Sequence, residues 1–310
     1  MKPFVFAVAA LVTLAPASPA WNNKGHMVVA RIAWKELSPA ERTKIVEILA
    51  SHPHAAEFLK ADRPQNIPEE EWMFLRAATW SDWVRGGPPE RRAFHKAKWH
   101  YTNIPLVAPG STATPQPPEA VNVVTQIPAS KLIAKSGVTT IERAVHTCWL
   151  FHLVGDIHQP LHCITLFSDD LPDGDRGGNL SKLKIHGNTV KLHSFWDGLL
   201  GTSATLSSIG AAILKIDSTV ATTTNTVAAD LATNTTPASW AKESFDLGRE
   251  FAYQNGGLLP ASDVDDHSDD FFVPDAPEGY SEKAGEIARL QVHKAGKRLA
   301  EILKQIAAAN

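Results

Sequence analysis

The chain has 310 residues, of which 44% are hydrophobic and 20% charged, and its formal net charge is −3. This composition is typical of a folded protein, and such an acidic chain has no basic stripe with which to hold nucleic acid. If the substrate is a phosphate, bound cations must therefore supply the positive field. The 2 cysteines, Cys148 and Cys163, exclude a disulfide-built fold; they either pair or stay as buried thiols.

The N-terminal segment has the features of a secretory signal peptide. Lys2 precedes an apolar run over residues 3–15, which is too short to span a bilayer. Ser18 and Ala20 are small residues at the −3 and −1 positions of a cut before Trp21. We therefore predict a signal peptide at 1–20, one domain at 21–310, and an exported protein, periplasmic or secreted, with no stable membrane association.

Helical patterns dominate the remaining sequence. The segment Ser38-Pro39-Ala40-Glu41 matches a capping box with proline at the first helical position. The predicted helices cover 24–36, a segment from Ser38 onward, 68–84, 119–135, 139–156, 240–253 and 281–309. Residues 105–118 are predicted to form a loop, 182–193 a small β-hairpin around Gly187-Asn188, and 202–239 contains helix-compatible stretches. The pattern predicts a mainly α, single-domain, multi-helix fold with one small hairpin.

The segment HLVGDIHQPLH carries three metal-ligand side chains within a short span. His152 and Asp156 are four residues apart, so on a helix they project from the same face. Pro160 ends the helix and turns the chain, which brings His162 toward the same place. Imidazole and carboxylate together suit a divalent metal such as zinc.

Further candidate ligands occur along the chain. The sequence has 13 histidines, and several lie close to aspartate or tryptophan. His193 and Asp197 repeat the spacing of His152 and Asp156. The additional candidates are His26, Asp82, His100, His193 and Asp197. Together with the first segment, they suffice for more than one metal ion.

These motifs together resemble one known family. They are Trp21-x4-His26, Asp82-x2-Arg85, Trp99-His100-Tyr101, His152-x3-Asp156-x5-His162, Gly177-Gly178-Asn179 and His193-x3-Asp197. In this order they closely resemble the zinc-dependent single-strand nuclease and 3′-nucleotidase family of the S1/P1 type. The resemblance runs from Trp21 to a C-terminal helix at 289–303, and so covers nearly all of the chain after the predicted cut.

The resemblance implies three zinc ions per chain. One would be held by Asp82, His100, His152 and Asp156, a second by His162, His193 and Asp197, and a third by His26, Asp156 and the α-amino nitrogen and carbonyl oxygen of Trp21. Asp156 would bridge two ions. An α-amino group loses its proton to a metal readily, whereas an amide nitrogen is a poor ligand, so cleavage before Trp21 would complete the site.

The resemblance also implies an activity. The enzyme would cleave the P–O3′ bond of single-stranded DNA or RNA to give 5′-phosphates, and would remove the phosphate from 3′-mononucleotides. Asp82, Arg85 and Asp156 would be catalytic, with Arg85 neutralising charge on the phosphate. Tyr101 and Asn103 match positions that contact a nucleobase. We expect no protein partner and a monomer.

Alternatives remain for the function and for single residues. Zinc phospholipases C resemble this family in helical fold and in a trinuclear site, so a lipid phosphodiesterase is one alternative. A non-catalytic zinc-binding protein is a second alternative. Tyr101 could instead be an ordinary core aromatic. We expect His158 to support the metal site through a hydrogen bond rather than to bind metal.

Overall fold

The computed structural model describes residues 21–258, 261–262 and 273–309. The predicted signal peptide at 1–20 lies outside the described residues. Within them, no helix has the length and apolar character needed to cross a membrane. Cys148 and Cys163 are both buried, and they form no disulfide.

The described part of the chain is mainly helical. Its α-helices are α1 (Asn23–Glu36), α2 (Pro39–Ala50), α3 (Glu69–Ala77), α4 (Trp80–Trp83), α5 (Pro89–Arg92), α6 (Val123–Ser136), α7 (Thr140–Asp156), α8 (Leu192–Asp197), α9 (Leu206–Ala221), α10 (Thr224–Thr233), α11 (Pro237–Leu247) and α12 (Tyr280–Ala307). Its strands are β1 (Ile104–Val107), β2 (Ile164–Phe167), β3 (Ser181–Ile185), β4 (Asn188–Lys191) and β5 (Ala261–Ser262). The predicted mainly α single-domain fold is confirmed.

Helix α7 is the central element of the fold. It packs against α1, α2, α6 and α12, and its residues from Thr147 to Asp156 are all buried. Because a helix that is apolar on every side must be covered on every side, its neighbours form a shell around it. The C-terminal end of α7 therefore lies inside the protein, and so do the polar side chains that it carries.

Side-chain caps begin the principal helices as the sequence predicts. The amide of Glu41 donates to Ser38 Oγ at 3.3 Å, and the amide of Ser38 donates to Glu41 Oε2 at 2.7 Å. Thr139 and Glu142 form a second such box at the start of α7. Each box satisfies amides that the first helical turn leaves without partners. The capping box predicted at Ser38 is confirmed.

The predicted helix at 68–84 is wrong as a single element. The structure has α3 and α4 in its place, separated at Ala78 and Thr79. The carbonyl of Ala78 accepts a hydrogen bond from Nδ1 of His152 at 2.8 Å. The local pattern of residues 68–84 predicts one continuous helix because it contains no information about a contact with a residue so distant in sequence.

The predicted loop at 105–118 is also partly wrong. Its first residues belong to β1, which pairs in parallel with β2 in the register Ile104↔Ile164. The hairpin is confirmed as β3 and β4, with His186 and Gly187 at positive φ in its turn. It ends at Lys191, however, because the chain then enters α8.

A second, smaller core covers the far side of this β region. Leu166, Leu183 and Trp196 are buried there together with Tyr253 and Tyr280. The indole of Trp196 donates to the hydroxyl of Tyr280 at 3.1 Å. This core fixes α8 against β3, which in turn fixes the two candidate ligands that α8 carries.

Candidate metal centre

The candidate ligands converge at the C-terminal end of α7. The side chains form three groups, and within each group the ligand atoms lie within 4.8 Å of one another. The groups are His26 with Asp82 and His152, His100 with His152 and Asp156, and His162 with His193 and Asp197. All eight side chains that the sequence singles out therefore fall into these groups.

The first two groups share His152, and Asp156 faces imidazoles of both. Its Oδ2 is 2.9 Å from Nδ1 of His100 and 3.3 Å from Nε2 of His152. Its Oδ1 is 3.4 Å from Nε2 of His26. The two carboxylate oxygens thus face different imidazoles, which is the arrangement a bridging ligand needs.

Asp82 approaches the same place from α4. Its Oδ1 is 3.6 Å from Nε2 of His152. The nitrogens of His152 and His100 are themselves only 3.0 Å apart. Three separate segments therefore bring two carboxylates and two imidazoles to one buried point.

His26 reaches the centre because glycine stands opposite it. Its ring stacks on that of His152 with centroids 4.0 Å apart. A Cβ atom at Gly155 would lie 2.8 Å from His26 Nδ1, so a larger residue cannot be accommodated there without movement. The glycine in the middle of HLVGDIH thereby allows α1 and α7 to approach closely.

The third group forms where the chain turns after α7 and enters α8. Nε2 of His193 is 3.5 Å from Oδ2 of Asp197, one helical turn away. The rings of His162 and His193 have centroids 5.0 Å apart. The amide of Gln159 donates to Asp197 Oδ1 at 2.7 Å, which orients the carboxylate.

Backbone carbonyls orient the imidazoles. Nδ1 of His152 donates to Ala78 O at 2.8 Å, Nδ1 of His162 to His100 O at 2.7 Å, and Nδ1 of His193 to Gly177 O at 2.6 Å. Since a neutral imidazole carries one proton, a proton on Nδ1 leaves a lone pair on Nε2. All three Nε2 atoms face candidate carboxylates or imidazoles, as metal ligands do.

Buried polar atoms without a hydrogen-bond partner among the described residues are concentrated here. They include Nδ1 and Nε2 of His26, Nε2 of His100, His162 and His193, Oδ2 of Asp82, Oδ1 of Asp156 and Oδ2 of Asp197. Leaving so many polar atoms unsatisfied is costly. Nitrogen and oxygen donors in such an arrangement fit divalent cations, and zinc in particular.

Burial shifts the pKa of most of these groups. It lowers the pKa of His26 and His162 well below the usual histidine value, and that of His193 to about 4. It raises the pKa of Asp156 to about 6 and that of Asp197 well above its usual value. These three imidazoles therefore keep their lone pairs at neutral pH, whereas Asp156 and Asp82 raise the pKa of His152 despite its burial. Burial disfavours the ionised form of the two carboxyl groups, and a cation beside them would favour it.

Trp21 lies beside the centre and is completely buried. Its indole Nε1 donates to Gly155 O at 3.1 Å. A Cβ atom at Gly25 would lie 2.6 Å from Trp21 Cβ, so glycine is required where α1 passes the indole. These contacts place the main chain of Trp21 one turn before His26.

Arg85 contributes positive charge next to the ligands. Its guanidinium is 3.0 Å from Asp82 Oδ1. Burial is the largest cause that lowers the pKa of His26, His100 and His162, and the positive charge of Arg85 lowers it further. A guanidinium in this position can bind a phosphate at the centre.

Tyr101 and Asn103 lie on the extended segment between His100 and β1. Both are partly exposed. The amide of Thr102 donates to His162 O at 2.8 Å, which holds this segment against the turn that follows α7. The pairing of β1 with β2 continues this contact, so the segment that carries both residues lies beside the turn that carries His162. The contact of Tyr101 and Asn103 with a nucleobase stays a prediction, and so does the alternative that Tyr101 is an ordinary core aromatic.

The sequence did not single out several residues that bear on the site. Gln159 orients Asp197, and the ring of His95 lies 6.1 Å from that of His100, centroid to centroid. Polar residues this close to a motif are a usable signal, but only after the fold is known. His158 bonds to Val154 O and to Arg298, at 2.6 Å each, so the expectation that it supports a ligand is wrong.

The comparisons with known proteins point to one family. A family model described as S1/P1 Nuclease matches residues 21–308. "Endonuclease 4" of Arabidopsis thaliana is 29% identical over 167 residues, covering 51% of this chain and 49% of that protein. "Endonuclease 3" of the same plant is 23% identical over 267 residues, covering 82% of this chain and 83% of that protein. The chain thus aligns with about half the length of the first relative and most of the second.

Proposed function

We propose, from the premise that the chain belongs to the S1/P1 nuclease family, that it is a zinc-dependent nuclease of single-stranded DNA and RNA. Nuclease function follows from the family; the metal, the substrates and the products belong to the proposal. We further propose cleavage of the P–O3′ bond to give 5′-phosphates, and removal of phosphate from 3′-mononucleotides. The nucleic acids are its partners, and the enzyme works as a monomer.

One observation carries the proposal. Three groups of imidazole and carboxylate side chains lie around the C-terminal end of α7, and within each group the ligand atoms are within 4.8 Å of one another. In seven of the eight side chains, at least one buried nitrogen or oxygen has no hydrogen-bond partner among the described residues. We assign one zinc to Asp82, His100, His152 and Asp156, a second to His162, His193 and Asp197, and a third to His26, Asp156 and Trp21.

The proposed chemistry requires little of the protein beyond positioning and charge. Zinc bound here would lower the pKa of water, so that it acts as a nucleophile, and would offset negative charge on the phosphate. Asp156 would hold the ligand groups in register because its two oxygens face different imidazoles. Asp82 orients Arg85 through their 3.0 Å contact.

Arg85 would bind the scissile phosphate. Its guanidinium offers parallel N–H groups that match two phosphate oxygens, and it can stabilise the additional charge of the transition state. Tyr101 would stack on the nucleobase beside that phosphate, and the amide of Asn103 would contact the base edge. Stacking on an aromatic ring requires an unpaired base, which favours single strands.

Export and maturation are part of the same proposal. Removal of residues 1–20 would give Trp21 a free amino group, which can share a metal ion with the carbonyl oxygen of the same residue in a chelate. The buried indole of Trp21 and its bond to Gly155 O already hold this residue next to His26. The mature enzyme would act in the periplasm or outside the cell.

The test uses protein that begins at Trp21 and is loaded with zinc. We expect turnover of single-stranded DNA and RNA well above that of duplex DNA, release of phosphate from 3′-AMP, and three zinc ions per chain by elemental analysis. Chelation should abolish turnover, and zinc should restore it. Release of phosphocholine from lecithin without nucleic-acid cleavage would instead favour the phospholipase alternative. Bound zinc with no phosphoester turnover would favour a non-catalytic protein.

A further inference from the structure

A glycine-rich loop beside the centre contains an arginine in an unusual conformation. Gly174, Gly177 and Gly178 have φ angles of 81°, 63° and 81°, and Arg176 has a φ of 57°. The left-handed region is open to glycine but disfavoured for arginine. A residue held there by its surroundings is often found at a functional site.

The loop is fixed by a buried carboxylate. Asp175 accepts hydrogen bonds from Leu166 N at 3.0 Å, Ser181 Oγ at 2.8 Å and Tyr253 Oη at 2.6 Å. A Cβ atom at Gly177 would lie 2.3 Å from Leu161 O, so this part of the loop is in direct contact with neighbouring backbone. The loop therefore presents the side chain of Arg176 from a rigid base.

The same loop supports the candidate metal centre. The carbonyl of Gly177 accepts Nδ1 of His193 at 2.6 Å, and the carbonyl of Gly178 accepts the amide of His193 at 3.2 Å. Arg176 directly precedes these carbonyls and is exposed. Its backbone is thus placed at the rim of the centre.

Two other cations close in sequence to the candidate ligands already have carboxylate partners. Lys98 is 2.5 Å from Glu119, and Arg85 is paired with Asp82. Within the part of the chain that the structure describes, the guanidinium of Arg176 has no hydrogen bond or ion pair. It is therefore an exposed cation at the rim of the centre without a carboxylate partner among those residues.

We propose that Arg176 binds a phosphate of the nucleotide chain adjacent to the scissile phosphate, and so positions a polynucleotide across the centre. The planar guanidinium suits two oxygens of a phosphodiester, and an acidic protein has few other charges to offer there. The inference rests on the proposed function, because it requires a polynucleotide substrate. It makes Arg176 a positioning residue that does not contact the reacting atoms.

The test compares Arg176→Asn and Arg176→Lys with the wild type. Asparagine tolerates the left-handed conformation but lacks the charge, and lysine keeps the charge. For a single-stranded oligonucleotide we expect Arg176→Asn to raise KM about tenfold with little change in kcat, since one charge-assisted contact is lost. The salt dependence of log(kcat/KM) should become shallower by about 0.7, the value for one phosphate of a single strand. Arg176→Lys should recover much of both.

The controls separate this role from a structural one. Bis(4-nitrophenyl) phosphate has no neighbouring phosphate, so its turnover and the zinc content should be unchanged in Arg176→Asn. Arg63→Asn removes an exposed arginine from the loop before α3 and should leave the salt dependence unchanged. Equal KM and salt dependence in Arg176→Asn and wild type would overturn the inference. So would a parallel loss on both substrates together with loss of zinc. A wild type that turns over bis(4-nitrophenyl) phosphate but no polynucleotide would instead overturn the proposed substrate.

Discussion

Two buried polar clusters lie near the C-terminal end of α7, and buried charge is compensated differently in each. The first is the candidate metal centre around Asp156. The second, which we call the charge cluster, consists of His158, Glu243, Lys294 and Arg298. In the charge cluster, Arg298 donates to Glu243 at 3.0 Å and to His158 at 2.6 Å, and Lys294 also contacts Glu243.

The difference lies in where the compensating charge comes from. In the charge cluster, cationic side chains lie directly against a carboxylate, so the protein supplies both signs itself. At the metal centre, buried carboxylates face the lone pairs of imidazoles, and positive charge must come largely from bound cations. The charge cluster should therefore matter for stability, and the metal centre for metal content and turnover.

The largest effect is expected for Asp156→Asn at the metal centre. The amide keeps the size of the side chain but removes the charge that faces both His26 and His100, so more than one zinc should be lost. We expect turnover of single-stranded DNA to fall roughly 1,000-fold, because removing a dominant electrostatic element has effects of that order. Elemental analysis and steady-state kinetics measure the two quantities.

The matched control for this substitution is Asp169→Asn. That carboxylate is exposed and bonds only to Ser111 and Thr112 among the described residues. The control should keep wild-type turnover. Three tightly bound zinc ions in Asp156→Asn would contradict the bridging role. They would also contradict the view that the metal centre, unlike the charge cluster, depends on its carboxylate for metal content.

A smaller but still large effect is expected when Trp21 does not begin the chain. A methionine before Trp21 turns its amino group into an amide, which binds metal poorly, while the buried indole keeps its place. We expect the loss of one zinc and roughly 100-fold lower turnover, the upper range seen when a metal site loses support. The comparison is with protein cleaved to begin at Trp21. Equal zinc content and turnover in both forms would refute the role of the amino group.

A moderate effect is expected for Gly155→Ala. The new Cβ would lie 2.8 Å from His26 Nδ1 and would push this ring away from its partners. We expect a loss of about 1–3 kcal/mol in the free energy of unfolding from overpacking, with turnover reduced about tenfold. Denaturant unfolding and kinetics measure these changes.

Gly210→Ala is the control for introducing a methyl group into a helix. Nothing lies within 4 Å of the added Cβ in α9, so this variant should be more stable by about 0.5–1 kcal/mol. If Gly155→Ala instead kept wild-type zinc affinity and turnover, close packing of α7 against His26 would not be a requirement of the centre.

The smallest effect on turnover, with the largest on stability, is expected for Glu243→Gln. The substitution leaves the buried Arg298 without its carboxylate and Lys294 with Asp230 as its remaining anionic partner, which should cost about 3–5 kcal/mol in the free energy of unfolding. Zinc content and kcat of the folded protein should be unchanged. Glu301→Gln, at an exposed pair with Lys304, should change stability by less than about 1 kcal/mol. A loss of zinc without a loss of stability would show that the two clusters are not separate.

The candidate ligands of the centre could be predicted from the sequence because several of them occur close together in short motifs. His152, Asp156 and His162 stand at spacings that a helix and a proline turn make meaningful. The helices were predictable for a similar reason, since caps such as Ser38 and Glu41 are local. Both kinds of signal lie within a few residues of the feature that they specify.

What could not be predicted depends on contacts between distant residues. The break after α3 coincides with the bond from His152 to Ala78 O, which are 74 residues apart. Strand β1 exists because it pairs with β2, and its four residues carry too little pattern to be recognised alone. His158 lies inside the metal motif, yet it faces the charge cluster, because the turn after α7 directs it toward α12.

Three of the five imidazoles of the centre, those of His152, His162 and His193, are held by the main-chain carbonyls of Ala78, His100 and Gly177. A main-chain carbonyl can accept this hydrogen bond whichever side chain its residue carries, provided the backbone stays in place. Substitutions at the residues that supply the carbonyls therefore need not change the orientation of the imidazoles. The proposed substrate-binding residues Tyr101, Asn103 and Arg176 would act through their side chains, so substitutions there would alter substrate preference while the orientation of these three imidazoles stays the same.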